Sequence, residues 1–153
     1  MKDGYDVFCI LTEIATHLVT PLTLQTLTGN KVYTTSFAAQ WREMGHIELK
    51  QDAMLYLVAP ATANIIGKFA NGIADDLVST TYLSVECPVL IAPAMNPNMW
   101  SHSAVQDNVD KLKSRGVKFV EPESGLVACG DEGSGRLASI EEIFRMAKDV
   151  IEG

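Results

Sequence analysis

The strongest constraint on the fold is a set of short, uninterrupted apolar runs: VFCIL (7–11), MLYLVA (54–59) and VLIA (89–92), with VKFV (117–120) a weaker fourth. Each has the length of a strand, and none alternates apolar with polar residues. A strand that is apolar at successive positions needs cover on both faces, which is the condition of strands in a parallel sheet. Between the runs lie segments with helical spacing. Residues 64–85 carry it but are interrupted by Gly72, which predicts two helices rather than one. SAVQDNVDKLKSRG has Ser103 able to cap its start, basic residues in its last turn and Gly116 after its end. SIEEIFRMAKDVIE opens on Ser139, with acids at the positive helix end. Strands alternating with helices predict a single α/β domain: an open parallel sheet, right-handed crossovers and helices on both faces.

Bulk properties narrow the partners. The 153 residues are enough for one domain with a real core, and the 47% hydrophobic share is that of a globular chain. A net charge of −7 argues against a nucleic-acid-binding surface, which needs clustered Lys and Arg, though not against a local pocket for a small phosphorylated ligand. The three cysteines, Cys9, Cys87 and Cys129, give no disulfide framework, which favours a reducing, cytoplasmic setting. The start MKDGYD is unlike a signal peptide, and no apolar stretch reaches the ~18 residues of a membrane span.

In open parallel sheets, ligands bind outside the carboxyl ends of the strands. Three loops fall there: TEIATH after Leu11, PATAN after Ala59 and PAMNPNMW after Ala92. In APATAN, small residues would let backbone N–H groups approach a ligand, and a following helix N-terminus favours an anion. A plain strand–helix loop with Thr62 or Asn64 as N-cap explains the same residues. PAMNPNMW carries more side-chain chemistry than a turn requires. Asn96 can donate to and accept from a ligand, and Met95, Met99 and Trp100 could wall an apolar pocket. The competing reading is a Pro-Asn turn with core methionines. His46 stands in MGHIELK; His17 and His102 have no chemical company in the sequence and read as surface residues. Cys129, in GLVACGDEGSGR, reads as a thiol on a glycine-rich mobile loop. There is no dinucleotide fingerprint, zinc spacing or nucleophile elbow.

Taken together, APATANIIGKFANGIADDLVSTT, PAMNPNMW and ACGDEGSGR resemble the phosphopantothenoylcysteine decarboxylases, within the homo-oligomeric flavin-containing cysteine decarboxylases. GHIELK matches the segment that carries that family's catalytic histidine. The resemblance spans nearly the whole chain, with the motifs in family order, and implies a flavodoxin/Rossmann-like sheet. It implies FMN as cofactor, contacted by Thr62, Ala63, Asn64 and Ile65, by Thr12 and Glu13, by Ala94 and Met95 beside the ring, and by Ser79 and Thr80. It implies that Asn96 holds the substrate carboxylate, that Met99 lies by the substrate, and that Leu126, Val127 and Ala128 fold over it as a clamp. His46 and Cys129 complete the catalytic set with Asn96.

The implied reaction converts 4′-phosphopantothenoylcysteine to 4′-phosphopantetheine, on the route to coenzyme A. A simple alkyl carboxylate does not lose CO2, because the carbanion has no sink. Oxidation at the carbon bearing sulfur gives a thioaldehyde that absorbs the electrons, and CO2 loss leaves an enethiolate, which is then reduced. By resemblance His46 assists thiol activation or CO2 loss. Cys129 gives the proton that completes reduction. A Cys-Gly-Asp clamp favours this redox-neutral reaction over oxidative release of the enethiol from peptide C-termini. Flavin prenyltransferases share the fold but are not expected to show the Asn and Cys pair. The resemblance also implies trimers, often grouped into dodecamers, with His46 serving a neighbour's flavin.

Two departures stand out. The family begins with a strand, a Gly-rich turn and a helix before the segment matching YDVFCILT, and that turn contributes to the FMN phosphate site. It is absent here, so the chain reads as an N-terminally truncated flavoprotein domain over 1–153, with Met1 an internal methionine. The absent unit amounts to roughly 25–30 residues, and its loss is expected to expose neighbouring strand edges. After HIEL, the family's basic residue, Trp and Ala-Asp are replaced by KQDAM; Lys50 can still serve a phosphate, whereas Gln51 carries no charge. The ligase domain fused to many bacterial relatives is also not in this sequence. Competing functions are a non-catalytic relative, as in fungal inhibitory subunits of a protein phosphatase, an inactive fragment, and a decarboxylase for another cysteine-terminated substrate.

Overall fold

The computed structural model describes residues 4–34, 53–126 and 132–153, with the side chains of Leu126 and Glu132 left aside. Strand β1 (Cys9–Leu11) leads into a short helix α1 (Glu13–Thr16), capped by the Thr12 hydroxyl, which accepts the Ala15 N–H at 3.2 Å. Helix α2 (Pro21–Thr28) starts on capping Thr20 with Pro21 in its first turn and stops at Gly29, whose φ of 76° gives the left-handed turn an L side chain resists. Strand β2 (Val32–Thr34) then pairs in parallel with β1, Ile10 opposite Tyr33.

The second half builds the main core. Strand β3 (Tyr56–Ala61), helices α3 (Ala63–Asn71) and α4 (Leu77–Ser84), strand β4 (Val89–Pro93), helices α5 (Pro97–Ser101) and α6 (Ser103–Ser114) and strand β5 (Lys118–Phe119) follow in order. Strands β3, β4 and β5 form a parallel sheet, with Val58 opposite Ile91 and Ile91 opposite Phe119. Strand β4 shows why its run is apolar throughout. Ile91 packs with Ile65, Ile66 and Phe69 of α3 and Val109 and Leu112 of α6. Leu90 and Ala92, one residue to either side, point the other way, against Ile143 and Ala147 of the final helix α7 (Ile140–Glu152). All three β4 residues are fully buried. An antiparallel ribbon of β6 (Glu123–Leu126) and β7 (Glu132–Arg136) precedes α7.

The α/β architecture with parallel strands and helices on both faces is as expected, as is the break at Gly72, which caps α3 at a φ of 68°. Ser139 caps α7 as read from its sequence, accepting the Glu142 N–H at 3.3 Å. Several details differ. The parallel strands form two hydrogen-bonded groups, β1–β2 and β3–β4–β5, instead of one sheet. Among the described residues β1 pairs with β2 and β3 with β4, each on one edge only. The run at 7–11 is strand only over Cys9–Leu11, and the run at 54–59 is shifted to Tyr56–Ala61. The cap of α6 is His102, whose Nδ1 accepts the Ala104 N–H at 3.2 Å, so this surface histidine has a structural partner and Ser103 is the first helical residue.

Candidate active site

Strands β1, β3 and β4 deliver Thr12, Thr62 and Ala94 to the ends of their groups. At two of these ends a hydroxyl starts a helix. Thr12 caps α1, and the Thr62 hydroxyl accepts the Ile65 N–H at 3.4 Å, starting α3. Thr62 and Asn64 are exposed, Ala63 is half-buried, and Ile65 turns its side chain into the core at 6% exposure. Ile65 can therefore reach a ligand at this edge only through its main chain. Thr62 thus fills the N-cap role, as one of the two readings of APATAN held.

The loop after β4 is tied on both sides. The Ala94 N–H donates to the Ala61 carbonyl of β3, and the next amide, that of Met95, donates to the Gly135 carbonyl of β7, each at 2.9 Å. Asn96 caps α5: its Oδ1 accepts the Asn98 N–H at 2.8 Å, and Pro97 occupies the first helical position. A backbone N–H can only donate, so the oxygen of the Asn96 amide must face the helix. The Nδ2 end of the same amide is the end suited to a ligand carboxylate. Met95 and Trp100 pack against the main core, which is the bland alternative for these two residues, while Met99 is 48% exposed beside them.

Ser79 is fully buried, and its hydroxyl bonds the Asp76 carboxylate at 2.9 Å within a capping box that starts α4. Its side chain is committed to the helix start. Thr80 is half-buried, its hydroxyl 3.5 Å from the Ala74 carbonyl. Sequence reasoning missed the group around Asp76. Lys68 reaches Asp75 at 2.7 Å and Asp76 at 2.6 Å. Burial pushes the Asp76 carboxyl up, but the Lys68 ammonium and the Ser79 N–H and hydroxyl outweigh it and hold it below the ordinary carboxylate range. The D-D pair after a lysine-bearing helix was the available signal. Glu13 is exposed in the first turn of α1. His46, Val127, Ala128 and Cys129 lie outside the described residues, as do Lys50 and Gln51; Leu126 closes β6.

The donor set at this edge is neutral amides, hydroxyls and a helix N-terminus, bordered by the small side chains of Ala63 and Ala94. Small residues and oriented N–H groups fit a flat, anion-bearing cofactor better than a metal, and no cluster of metal-ligating side chains occurs among the described residues. Among them, too, no helix is long and apolar enough to cross a membrane.

Comparison with known proteins agrees with this geometry. The family model described as Flavoprotein matches residues 1–152. The chain is 48% identical over 149 residues to the coenzyme A biosynthesis bifunctional protein CoaBC of Bacillus subtilis (strain 168), covering 97% of this chain and 37% of that protein. It therefore spans little more than a third of that relative's length. Among solved structures, a PPC decarboxylase mutant complexed with pantothenoylaminoethenethiol superposes with a TM-score of 0.85 at 25% identity, covering 99% of this chain and 86% of that one. The FMN-dependent cysteine decarboxylase SpaF gives a TM-score of 0.75 at 34% identity, over 94% of this chain and 78% of that one. The chain belongs to the flavoprotein family and, within it, matches the phosphopantothenoylcysteine decarboxylase type.

Proposed function

We propose that the chain is the FMN-dependent decarboxylase that converts 4′-phosphopantothenoylcysteine to 4′-phosphopantetheine. The observation that carries this reading is the placement of Asn96: its Oδ1 accepts the Asn98 N–H at 2.8 Å, which fixes the side chain at the start of α5 on the loop after β4; an amide N–H there is the chemistry a carboxylate would take. The similarity to CoaBC and to a PPC decarboxylase supports the substrate class. FMN, when bound, supplies reversible two-electron oxidation at the cysteine carbon bearing sulfur, the sink that carboxylate loss requires.

The chain's own residues bind, orient and protonate. Thr12, Glu13, Thr62, Ala63, Asn64 and the main chain of Ile65 would hold the cofactor, with Ala94 and Met95 beside its ring. In this reading Ser79 and Thr80 contribute through the first turn of α4, which Asp76 caps, and not through the buried Ser79 hydroxyl. Asn96 orients the carboxylate, and Met99, exposed at the same loop, covers the apolar part of the substrate. His46 serves as base, Cys129 donates the final proton, and Leu126, Val127 and Ala128 exclude water; for His46, Cys129, Val127 and Ala128 the support is the sequence motifs alone. The reading places the protein in the cytoplasm as a homotrimer or dodecamer. The apolar side chains of Ile14, Leu18 and Leu22, 73%, 86% and 71% exposed on and around α1 and α2, support a face covered by another copy.

A second reading keeps the chemistry and changes the substrate to another cysteine-terminated acid. The 34% identity to SpaF favours it. Assay of the FMN-loaded chain with 4′-phosphopantothenoylcysteine, free cysteine and a peptide ending in cysteine separates the two. Turnover of the first alone supports the proposal. Preference for either of the others replaces it, and bound flavin with no CO2 from any substrate favours the non-catalytic relative.

A further inference from the structure

Two glycines of β7 lie against the loop that carries Asn96. At Gly135 a Cβ would fall inside van der Waals contact with the Met95 carbonyl oxygen, and would stand 3.4 Å from the Pro97 nitrogen and 3.5 Å from the Asn96 carbonyl carbon. At Gly133 a Cβ would stand 2.8 Å from the Pro97 Cβ. The φ of Gly135 is 147°, a backbone state that L side chains rarely adopt. The close approach is therefore specific to glycine and not a gap that a larger residue could fill.

The contact has a direction. Ala94 and Met95 extend β4, and their amides point to opposite sides, one to Ala61 of β3 and the other to Gly135 of β7. The first bond fixes the loop to the sheet. The second fixes it to the ribbon, one residue before Asn96. The Asn98 N–H then holds the Asn96 amide itself. Disturbing the ribbon's bond loosens the loop on that side, immediately before Asn96.

We propose that Gly135 is a positioning residue for carboxylate recognition: by letting β7 press onto the Met95–Pro97 backbone it sets where the Asn96 amide stands. This rests on the reading of the chain as a cysteine decarboxylase with Asn96 on the carboxylate. A displacement of about 1 Å at such a group lowers turnover by up to ~100-fold. The decarboxylated product has no carboxylate for Asn96 to hold, so its binding reports on everything except that contact.

The test uses flavin-saturated protein and compares kcat/KM for 4′-phosphopantothenoylcysteine with the inhibition constant of 4′-phosphopantetheine. For Gly135→Ala, kcat/KM falls by roughly 10- to 100-fold, while product inhibition changes by less than about twofold, within the scatter of independent sites. In Asn96→Ala the second substitution adds little, because both act through one contact. Gly125→Ala is the control within the ribbon: its φ is 158°, but its Cβ would meet only the flexible Arg136 side chain, at 3.7 Å, so the ratio is unchanged. Should Gly135→Ala yield no folded holoprotein, Gly133→Ala, which meets a side chain instead of backbone, takes its place. Equal loss of substrate and product binding, or losses that multiply with Asn96→Ala, overturn the positioning role alone. A wild-type holoprotein that neither turns over the substrate nor binds the product overturns the function and the role with it.

Discussion

The Ala94 amide donates to the Ala61 carbonyl at 2.9 Å, joining the ends of β3 and β4 at the point where each leaves the sheet. Two motifs that begin 33 residues apart in sequence, PATAN at Pro60 and PAMNPNMW at Pro93, therefore share one rigid edge. Thr62 begins a helix on one side of this bond and Asn96 begins one on the other. A ligand bound across the edge meets both.

Asn96 has a structural role and a proposed chemical one, and two substitutions separate them. Asn96→Ala loses the cap, lowering stability by about 1 kcal/mol, and loses the charge-assisted bond to the substrate. A bond of that kind is worth roughly 1.5–3 kcal/mol, so kcat/KM falls by about 10- to 100-fold or slightly more. Asn96→Asp keeps the cap, since Asp caps as well as Asn, but sets a negative charge against the carboxylate. Its melting temperature stays near that of the wild type, while its activity falls at least as far as that of the alanine variant. Melting curves and steady-state kinetics on the two proteins check both halves.

Thr62→Ala removes the hydroxyl that satisfies the Ile65 N–H at the start of α3. The expected loss of stability is about 1 kcal/mol. Flavin affinity falls as well, because the same helix start presents the N–H groups proposed to face the cofactor. Fluorescence titration of the apoprotein with FMN reads the change. Thr62→Ser restores both.

The Asp76 carboxylate gives a pH dependence with a definite sign. Its folded pKa is depressed, so the carboxylate stabilises the fold above its unfolded value of ~3.9 and that contribution is lost as pH falls through the folded value. Asp76→Asn keeps the capping oxygen but not the charge facing Lys68. The variant is less stable at neutral pH, and the gap to wild type narrows as acid protonates Asp76. Urea midpoints show a constant gap from pH 7 down to about 4 and convergence only as the pH is taken further down, through the depressed folded value.

Ile66 is fully buried between α3 and the sheet, packed with Phe69 and Ile91. Ile66→Ala leaves a cavity there and lowers stability by about 2–5 kcal/mol. Ile14→Ala, on a side chain that is 73% exposed, leaves the monomer's stability nearly unchanged. If α1 and α2 form the contact between copies, Ile14→Ala shifts the mass seen in sedimentation toward the monomer, a result that a change inside the monomer's core does not give.

Elements whose cause is local were legible in the sequence. The β4 run reads as a strand because both of its faces are covered, and Gly72 and Ser139 read as helix boundaries because each has one conformational job. The Asn96 loop stood out because its side chains exceed what a turn needs. The glycine-rich stretch GLVACGDEGSGR does not read as a strand pair, because glycine is a weak strand former and its reason for being there lies elsewhere: Gly133 and Gly135 fit the Pro97 and Met95 positions across space. Ile65 lies within a site motif while its side chain packs in the core, and Trp100, half-buried, packs against that core; periodicity says that a residue is buried and not against what. The separation of β1 from β3 is a matter of which strands pair, and no residue of either strand announces it.

The central claim is flavin-dependent loss of CO2 guided by Asn96. The most direct measurement is CO2 release from carboxyl-labelled 4′-phosphopantothenoylcysteine by the purified chain, with bound FMN quantified by its visible spectrum and mass. Stoichiometric FMN and CO2 release that falls sharply in Asn96→Ala at equal flavin content is the predicted result. A chain that cannot be loaded with FMN, or one that releases CO2 equally well without Asn96, contradicts the account.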